Sequence, residues 1–382
     1  MSDAGVLVII PTYNEVENVE PIITAIFATQ KKLSRHKLEV LIVDDNSPDG
    51  TGKLVKKIQK RNKRVHLLEG QKAGIGKAYV RGFAYGLEKA RYETFITMDA
   101  DFSHNPEAIP ALLKAMDGGK DYVIGSRYVH GGKIEANWPM RRRIVSRLAN
   151  SAARLFIDPT KDIRDLTGGF KAMRTSALAT IDLSHLRASG NVFIVSLLHE
   201  FSSRGFEIDE VPITFTDRRF GASKLRLRDM LEFAYVTYRI NPKSRIRRFI
   251  RFALVGACGT VVNLAVLVGL VRYSRLSVLD ANAIAIEVSI ISNFFMNHLY
   301  TFRAAITSPK LQRRDRFGAM MLKLARYNVV ALGGAAISFL TFAFLYRMLG
   351  FHYILADMLA IVVAMSWNYW MSVRVVWRVV DA

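Results

Sequence analysis

Between residues 252 and 373 the chain carries four long apolar stretches, and this feature narrows the possible folds most sharply. Residues 252–271 and 327–346 hold no charged side chain; residues 281–302 hold a single acid, Glu287, and residues 353–373 a single acid, Asp357. About 20 helical residues rising about 1.5 Å each match the roughly 30 Å hydrocarbon thickness of a bilayer. Lipid offers the backbone no hydrogen-bond partner, so a spanning stretch of this kind must be helical. One such run could be a buried core helix, but four in succession imply an all-α four-helix transmembrane domain.

The charge agrees. A chain that is 51% hydrophobic yet carries a formal net charge of +21 is unusual for a soluble protein. A nucleic-acid-binding surface is one reading of the charge. That reading needs cations on a groove-sized face with aromatic stacking, whereas many of these flank the apolar stretches. Lys243, Arg245, Arg247, Arg248 and Arg251 lead into the first. Arg303, Lys310, Arg313, Arg314, Arg316, Lys323 and Arg326, against the single acid Asp315, separate the second from the third. Arg272, Arg275 and Arg347 mark the other connections. By the positive-inside rule both chain ends and the middle loop lie in the cytoplasm, so a multi-pass integral membrane protein without a nucleic-acid partner is expected. Residues 6–10 are too short an apolar run for a signal peptide, and Asp3 stands where a basic residue is usual. The lone Cys258 excludes an intramolecular disulfide and a cysteine-based zinc site.

The apolar part repeats itself. Arg251-Phe252 and Arg326-Tyr327 are 75 residues apart, as are Gly259 and Gly334, Asn293 and Asn368, Met296 and Met371, and Arg303 and Arg378. A constant offset across two hairpins implies duplication of a two-helix unit in parallel orientation. Asn293, Asn297 and Asn368 are expected to hydrogen-bond between helices. Glu287 and Asp357 invite a functional reading because ionisable groups in lipid are costly.

The first 240 residues obey a different pattern. Residues 6–10, 40–43 and 65–68 are short apolar, largely β-branched runs, separated by helical periodicities. This alternation predicts an α/β, Rossmann-like domain with a mostly parallel sheet, whose ligands bind outside the carboxyl ends of the strands. Tyr13 and Glu15 follow the first strand, and Asp44 and Asp45 the second. A further strand runs into Asp99-Ala100-Asp101. In an extended chain residues i and i+2 share a face, so these two carboxylates can converge. Two close carboxylates favour a divalent cation, and Mg2+ or Mn2+ takes its remaining ligands from phosphates and water. The plainer alternative is a solvated strand end.

Lys72-Ala73-Gly74-Ile75-Gly76-Lys77 is no phosphate loop: Gln71 and Ala78 break the P-loop spacing and Tyr79 breaks the dinucleotide fingerprint. Val123-Ile124-Gly125-Ser126-Arg127 reads as a strand ending in a cation, and Arg141-Arg142-Arg143 as a basic segment. Asp165-Leu166-Thr167-Gly168-Gly169-Phe170 reads as a loop. Arg218-Arg219-Phe220-Gly221-Ala222-Ser223-Lys224 has the chemistry of a loop over an anionic phosphate, or of a solvated surface loop. Residues 144–156 and 225–238 show apolar and cationic faces at helical spacing, as interfacial membrane helices do; ordinary packing helices are the alternative.

These residues carry a resemblance. Pro11-Thr12-Tyr13-Asn14-Glu15, Asp44 through Thr51, Asp99-Ala100-Asp101, Gly125-Ser126-Arg127-Tyr128, Asn137-Trp138-Pro139 and Gly221 through Leu225 resemble the polyprenyl-phosphate (dolichyl-phosphate) mannose synthases of glycosyltransferase family 2, which have a GT-A fold. Ser292 through Asn297 and Thr301-Phe302-Arg303 resemble the GtrA-like membrane domain. The resemblance implies a GT-A catalytic domain over residues 1–230, an interfacial linker over 231–248 and a GtrA-like domain over 249–382.

It further implies mannose transfer from GDP-mannose to a polyprenyl or dolichyl phosphate, with inversion, at the cytoplasmic face of the lipid bilayer. Pro11, Tyr13, Glu15, Val43 and Asp45 would hold the nucleoside; Asp99, Ala100 and Asp101 the diphosphate, with Asp99 and Asp101 on the metal. Arg218, Ser223 and Lys224 would close over the donor phosphates. Arg127, Arg142 and Ser146 would receive the acceptor phosphate, so that Asp99, Asp101 and Arg127 form the catalytic set. Ser103 stands where the family commonly has Gln, and Ala136 is inserted before Asn137-Trp138-Pro139. Members that glycosylate a hydroxyl carry a carboxylate base after the Gly-Gly-Phe loop; here Gly190-Asn191-Val192-Phe193 has none. The same chemistry with UDP-glucose, or a lipid-linked-sugar flippase with a degenerate enzyme domain, are the alternatives.

Overall fold

The computed structural model describes residues 4–135, 139–156, 163–186, 190–216, 227–240, 245–303 and 316–379. The chain divides into two units, Met1–Pro242 and Lys243–Ala382.

The first unit is built on a seven-stranded sheet. Its strands are β1 (Ala4–Thr12), β2 (His36–Asp44), β3 (Val65–Glu69), β4 (Thr94–Thr97), β5 (Tyr122–Ser126), β7 (Lys171–Arg174) and β8 (Ile208–Pro212). Their order is β3-β2-β1-β4-β7-β5-β8, and only β7 runs antiparallel to its neighbours. A two-stranded parallel ribbon joins β6 (Lys133–Ile134) to β9 (Thr214–Phe215).

Alternation along the strands divides the core between the two faces of the sheet. Leu7, Ile9, Leu41, Val43 and Phe95 pack with Tyr79 and Phe83 of α3 (Ile75–Lys89) and Phe193 and Leu197 of α7 (Gly190–Ser203). Val6, Val8, Ile10, Val40, Ile42 and Ile96 pack with Val19, Ile22 and Ile26 of α1 (Val16–Thr29) and Ile109 and Leu112 of α4 (Ile109–Asp117). Helix α3 lies very close to the sheet. A Cβ on Gly82 would stand 2.5 Å from Ile9 Cγ2, and one on Gly86 2.6 Å from the Phe95 ring. Any side chain there would push helix from sheet, an overpacking cost of about 1–3 kcal/mol. Strand order reverses between β1 and β4, and the crevice at their carboxyl ends is where such sheets bind ligands.

Among the described residues this unit has four more α-helices: α2 (Thr51–Arg61), α5 (Met140–Phe156), the short α6 (Thr175–Leu178) and α8 (Leu227–Ile240). Helix α5 (Met140–Phe156) leaves Met140, Ile144 and Leu148 more than half exposed, one turn apart in a single row.

Among the described residues, the second unit holds four helices long and apolar enough to cross a membrane, Arg245–Tyr273, Val278–Thr301, Phe317–Met348 and Tyr353–Val376. Their α-helical parts are α9 (Arg245–Tyr273), α10 (Val278–Met296), α11 (Arg316–Ala343) and α12 (Tyr353–Met371). The helices start earlier than the uncharged stretches at their basic ends, because arginines continue a helix readily into the headgroup region.

The 75-residue offset reappears in three dimensions. Helices α10 and α12 begin and end on equivalent residues, and each continues into a π-helical turn, Asn297–Thr301 and Ser372–Val376. Ala281 and Ala285 are fully buried, as are their counterparts Ala356 and Ala360. A Cβ on Gly259 would collide with the Asn293 amide, and one on Gly334 with the Asn368 amide. Phe302 and its counterpart Trp377 stack face to face, 4.1 Å apart and 8° from parallel. Of the three asparagines, Asn297 makes an interhelical bond, donating to the Tyr327 hydroxyl at 3.3 Å. Asn293 and Asn368 instead lie over glycine backbone, and their Oδ1 atoms have no partner among the described residues.

Candidate active site

The loops after β1 and β2 are laced into one surface. Thr12 Oγ1 donates to Asp44 Oδ1 at 2.9 Å, and Ser47 gives its hydroxyl to Asp44 Oδ1 at 2.6 Å and its N–H to Oδ2 at 2.9 Å. The first N–H groups of α1 find partners across this gap: Glu15 N–H donates to Thr51 Oγ1 and Val16 N–H to Asp49 Oδ2. They replace a side-chain N-cap, which α1 lacks. Asp49 titrates low: its slight burial raises it, but bonds from the Thr51 hydroxyl and N–H and from Val16 N–H outweigh that. Asn14 sits at φ 62°, a conformation asparagine tolerates better than most residues.

Of the two adjacent acids, Asp44 is thus consumed by the loop, while buried Asp45 pairs with Arg81 of α3, Nη2 to Oδ1, at 2.6 Å. Lys72 Nζ stands 3.3 Å from the centre of the Tyr13 ring. Pro11 and Val43 are register partners at the ends of β1 and β2, beneath this cluster.

Strand β4 ends at Thr97, before the acidic triplet. The alternation expected of Asp99 and Asp101 in an extended chain therefore does not operate; the triplet lies in a turn, with Phe102 at φ 62°. The turn is held from both sides. Asp99 N–H donates to His104 Nδ1 at 3.1 Å, and the buried His104 ring lies between Phe170, stacked at 5.3 Å, and Phe215, edge-on at 5.8 Å. Ser103 gives both its hydroxyl, at 2.6 Å, and its N–H, at 3.1 Å, to Asp101 Oδ1. After burial itself, the charges of Asp99 and Asp101 push the buried Tyr79 phenol well above its ordinary value.

The Asp99 side chain is 32% exposed while Asp101 is buried. Two hard oxygen donors, one open to solvent, fit Mg2+ or Mn2+ completing its shell from a diphosphate and water. Among the described residues no third His, Cys, Asp or Glu joins them.

Arg127 follows β5. Its Nε and Nη2 donate to the two carboxylate oxygens of Asp165 at 2.7 Å each, its N–H donates to Asp165 Oδ2 at 3.0 Å, and Nη2 also reaches Thr167 Oγ1 at 3.0 Å. The Tyr128 and Phe215 rings each lie 5.2 Å from its guanidinium carbon. A guanidinium 8% exposed needs a counter-charge, and Asp165 supplies it. Burial works against both charges: it pulls the guanidinium down, but the Asp165 bonds and charge hold it above its ordinary value. Burial raises Asp165, but the Arg127 bonds and charge, with Lys171 behind, keep it low. The planar fork thus faces Asp165 through Nε and Nη2. Asp165 N–H is itself held by Glu210 Oε1 at 2.8 Å.

Lys171 lies deeper, its Nζ 3.4 Å from the Ile194 carbonyl. Burial drives it to about 7, opposed by Asp165 and Glu210 and aided by Arg127. From α5, Ser146 Oγ lies 2.8 Å from the Tyr128 hydroxyl. Arg142 stands one turn before Ser146 on this helix; its side chain, like the whole of Arg218, Ser223, Lys224, Asn137 and Trp138, lies outside the described residues.

Residues 7–182 match Glycosyl transferase family 2, and residues 251–377 match the GtrA/DPMS transmembrane domain. A dolichol-phosphate mannosyltransferase of Pyrococcus furiosus is 33% identical over 376 residues, 97% of this chain and 99% of the relative. This chain belongs to the dolichol- and polyprenol-phosphate mannosyltransferases of glycosyl transferase family 2. Two bacterial relatives match over 221 residues each. A polyprenol monophosphomannose synthase of Mycolicibacterium smegmatis is 43% identical, covering 57% of this chain and 80% of its own. An undecaprenyl-phosphate mannosyltransferase of Micrococcus luteus is 39% identical, covering 58% and 87%.

In this family 2 enzyme, sequence reasoning missed the partners rather than the motifs. Arg81, which holds Asp45, comes from a helix 36 residues away, and Asp165, which holds Arg127, from a loop 38 residues away. A signal existed for Asp165, an acid opening a loop rich in glycine. His104 also carried one, lying five residues after Asp99.

Proposed function

We propose that this enzyme transfers mannose from GDP-mannose to a polyprenyl phosphate, with inversion, at the cytoplasmic face of the membrane. The observation that carries the reading is the placement of a buried, counter-charged Arg127 within the sheet edge that also holds the acidic triplet, beside a helix with an outward apolar row. Pro11, Tyr13, Glu15, Val43 and Asp45, with Lys72 and Arg81, hold the nucleoside. Asp99, Ala100 and Asp101 face the diphosphate, and Arg218, Ser223 and Lys224 close over it. Arg127, Arg142 and Ser146 orient the acceptor phosphate. Asp99 and Asp101 would hold a Mg2+ or Mn2+ ion, which supplies charge neutralisation at the diphosphate leaving group when bound.

One displacement accounts for the chemistry. An acceptor phosphate oxygen forms the new bond to the sugar's anomeric carbon, the bond from that carbon to the donor phosphate breaks, and GDP leaves with the electron pair. A phosphate with a second pKa near ~6 is largely a dianion at neutral pH, so no protein base is required. Catalysis is then orientation and electrostatic stabilisation. The row of Met140, Ile144 and Leu148 on α5 suits an interfacial helix, and the basic flanks of the spans support a catalytic unit and both termini on the cytoplasmic side.

The test incubates the purified full chain with GDP-mannose, UDP-glucose and other sugar nucleotides, each with a short prenyl phosphate or the matching prenol, and identifies lipid products by mass. Mannosyl phosphoprenol from GDP-mannose alone is expected. Transfer only from UDP-glucose would replace the donor, and efficient glycosylation of the alcohol would overturn the mechanism.

A further inference from the structure

Asn150 belongs to neither the donor set nor the acceptor set, yet it is the most fully engaged polar side chain among the described ones on α5. It is 3% exposed. Its Oδ1 accepts from the N–H groups of Leu166, at 2.9 Å, and Thr167, at 3.2 Å. Its Nδ2 donates to the Ser146 carbonyl at 3.1 Å and to Thr167 Oγ1 at 2.9 Å. Two donors and two acceptor sites are all a primary amide has, and all four are used.

Thr167 Oγ1 is the shared atom. It receives Asn150 Nδ2 from the helix and Arg127 Nη2, at 3.0 Å, from the end of β5. One hydroxyl oxygen therefore stands between the interfacial helix and the guanidinium. One turn earlier, Ser146 meets Tyr128, the residue after Arg127. Positions 142, 146 and 150 form one row on α5, about 200° around the helix from the exposed row of Met140, Ile144 and Leu148. The row toward the site and the row toward the outside are thus opposite faces of the same rigid element.

We infer that Asn150 is a positioning residue that locks α5 to Arg127 through Thr167, so that the groups offered to the acceptor phosphate by the helix and by the strand end form one cradle. A guanidinium whose fork is occupied by Asp165 has little freedom left, and the Thr167 hydroxyl helps to fix its orientation. The Asn150 bonds to two successive backbone N–H groups hold Thr167 itself in place. Loss of the clamp should therefore degrade acceptor use while leaving the nucleotide site untouched. The inference rests on the acceptor role proposed for Arg127 and Ser146.

The experiment compares Asn150→Ala, Thr167→Val, Thr167→Ser and the double variant Asn150→Ala/Thr167→Val in the full chain in detergent. Readouts are kcat/KM and direct binding for a short prenyl phosphate, and the Kd of GDP with Mn2+. Asn150→Ala and Thr167→Val should each lower acceptor kcat/KM by about tenfold or more, the loss of one charge-assisted contact at about 1.4 kcal/mol per decade. GDP affinity should stay within twofold, Thr167→Ser should restore most of the loss, and the double variant should be little worse than the poorer single one, because both break the same path.

Equal losses in nucleotide and acceptor terms, independent multiplication of the two single effects, or acceptor kinetics within twofold of the parent would each overturn the clamp. If Asn150→Ala does not fold, the contrast between Thr167→Val and Thr167→Ser decides alone. A parent enzyme that binds prenyl phosphate but does not use GDP-mannose would strike down the donor reading, with the clamp then measured by acceptor binding. A parent that binds no prenyl phosphate overturns both.

Discussion

Asp165→Asn isolates the Arg127–Asp165 charge pair, on which the proposed acceptor site depends. The substitution conserves volume, so no cavity is made, but it removes the charge and puts an NH2 group against a donor of Arg127. Asp165 is fully buried and accepts three bonds from Arg127, none longer than 3.0 Å. Arginine cannot escape by losing its proton, so the variant keeps a buried, uncompensated cation. Breaking a buried pair from one side costs about 3–5 kcal/mol, a large part of a typical domain stability of about 5–15 kcal/mol.

The kinetic consequence follows from the same geometry. Mis-set contacts from a buried charged group cost about 2–5 kcal/mol; even the lower half of that range, at ~1.4 kcal/mol per decade, lowers acceptor kcat/KM by roughly 30-fold or more. The sign with pH is fixed by the depressed carboxyl. The stabilisation is fully present above the ordinary aspartate range near ~4 and is lost only as pH falls below it, so at pH 7 the parent–variant gap is complete. Thermal unfolding in detergent, with acceptor titrations at saturating donor, measures both effects. A variant with unchanged melting and acceptor kinetics within twofold would refute the assignment of Asp165 as the counter-charge that sets Arg127.

Three further outcomes are expected. Asp101→Asn, or excess chelator on the parent, should abolish transfer, with Mn2+ or Mg2+ restoring only the chelated parent; full turnover in chelator would remove the metal from the site. Lys171 titrates near 7 because burial disfavours its ammonium, against about 10.4 in the unfolded chain. Between those values the unfolded chain binds the extra proton, so parent stability should rise with pH across that window, by of the order of 5 kcal/mol at most. Lys171→Met should be more stable than the parent at pH 6, with the gap closing toward pH 10; a gap independent of pH would contradict this. Gly259→Ala and Gly334→Ala, which drive a methyl group into the Asn293 and Asn368 amides, should each lower the thermal stability of the membrane unit by about 1–3 kcal/mol, and indifference at either would break the proposed equivalence of the two hairpins.

What the sequence made legible was local. The runs at 6–10 and 40–43, each stopped by polar turn chemistry, gave β1 and β2 because burial on both faces of a parallel sheet demands unbroken apolar residues. The triplet was legible as a pair of acids but not as a turn: the short β4 stops at Thr97, and the aromatic packing of His104 replaces the extended geometry. Strand pattern alone does not tell Asp44 from Asp45; only the family resemblance singles out Asp45. The fold separates them, because Thr12 and Ser47 reach Asp44 while Arg81 reaches Asp45. Each such partner arrives over a chain separation that periodicity does not encode.

The two acids of the membrane unit show the same principle from the other side. In the sequence Glu287 and Asp357 look alike, each the sole charge in an apolar stretch. Asp357 is only the fifth residue of α12, so it stands within one turn or so of a helix start, where the helix dipole favours an anion and a membrane surface is near. Glu287 is the tenth residue of α10, roughly 14 Å along it, too deep to reach an interface by extending its side chain. Its carboxyl finds a partner instead: Asn328 of α11 donates Nδ2 to Oε1 at 2.7 Å. The duplicated positions of this pair are Val362 and Ala253. The polar tie therefore joins the hairpins along one seam and has no copy on the other. Duplication explains the residues the hairpins share, the glycines, alanines and asparagines that set helix spacing. It cannot explain a bond present only once, which holds α10 to α11 by a contact that the hairpins did not inherit in common.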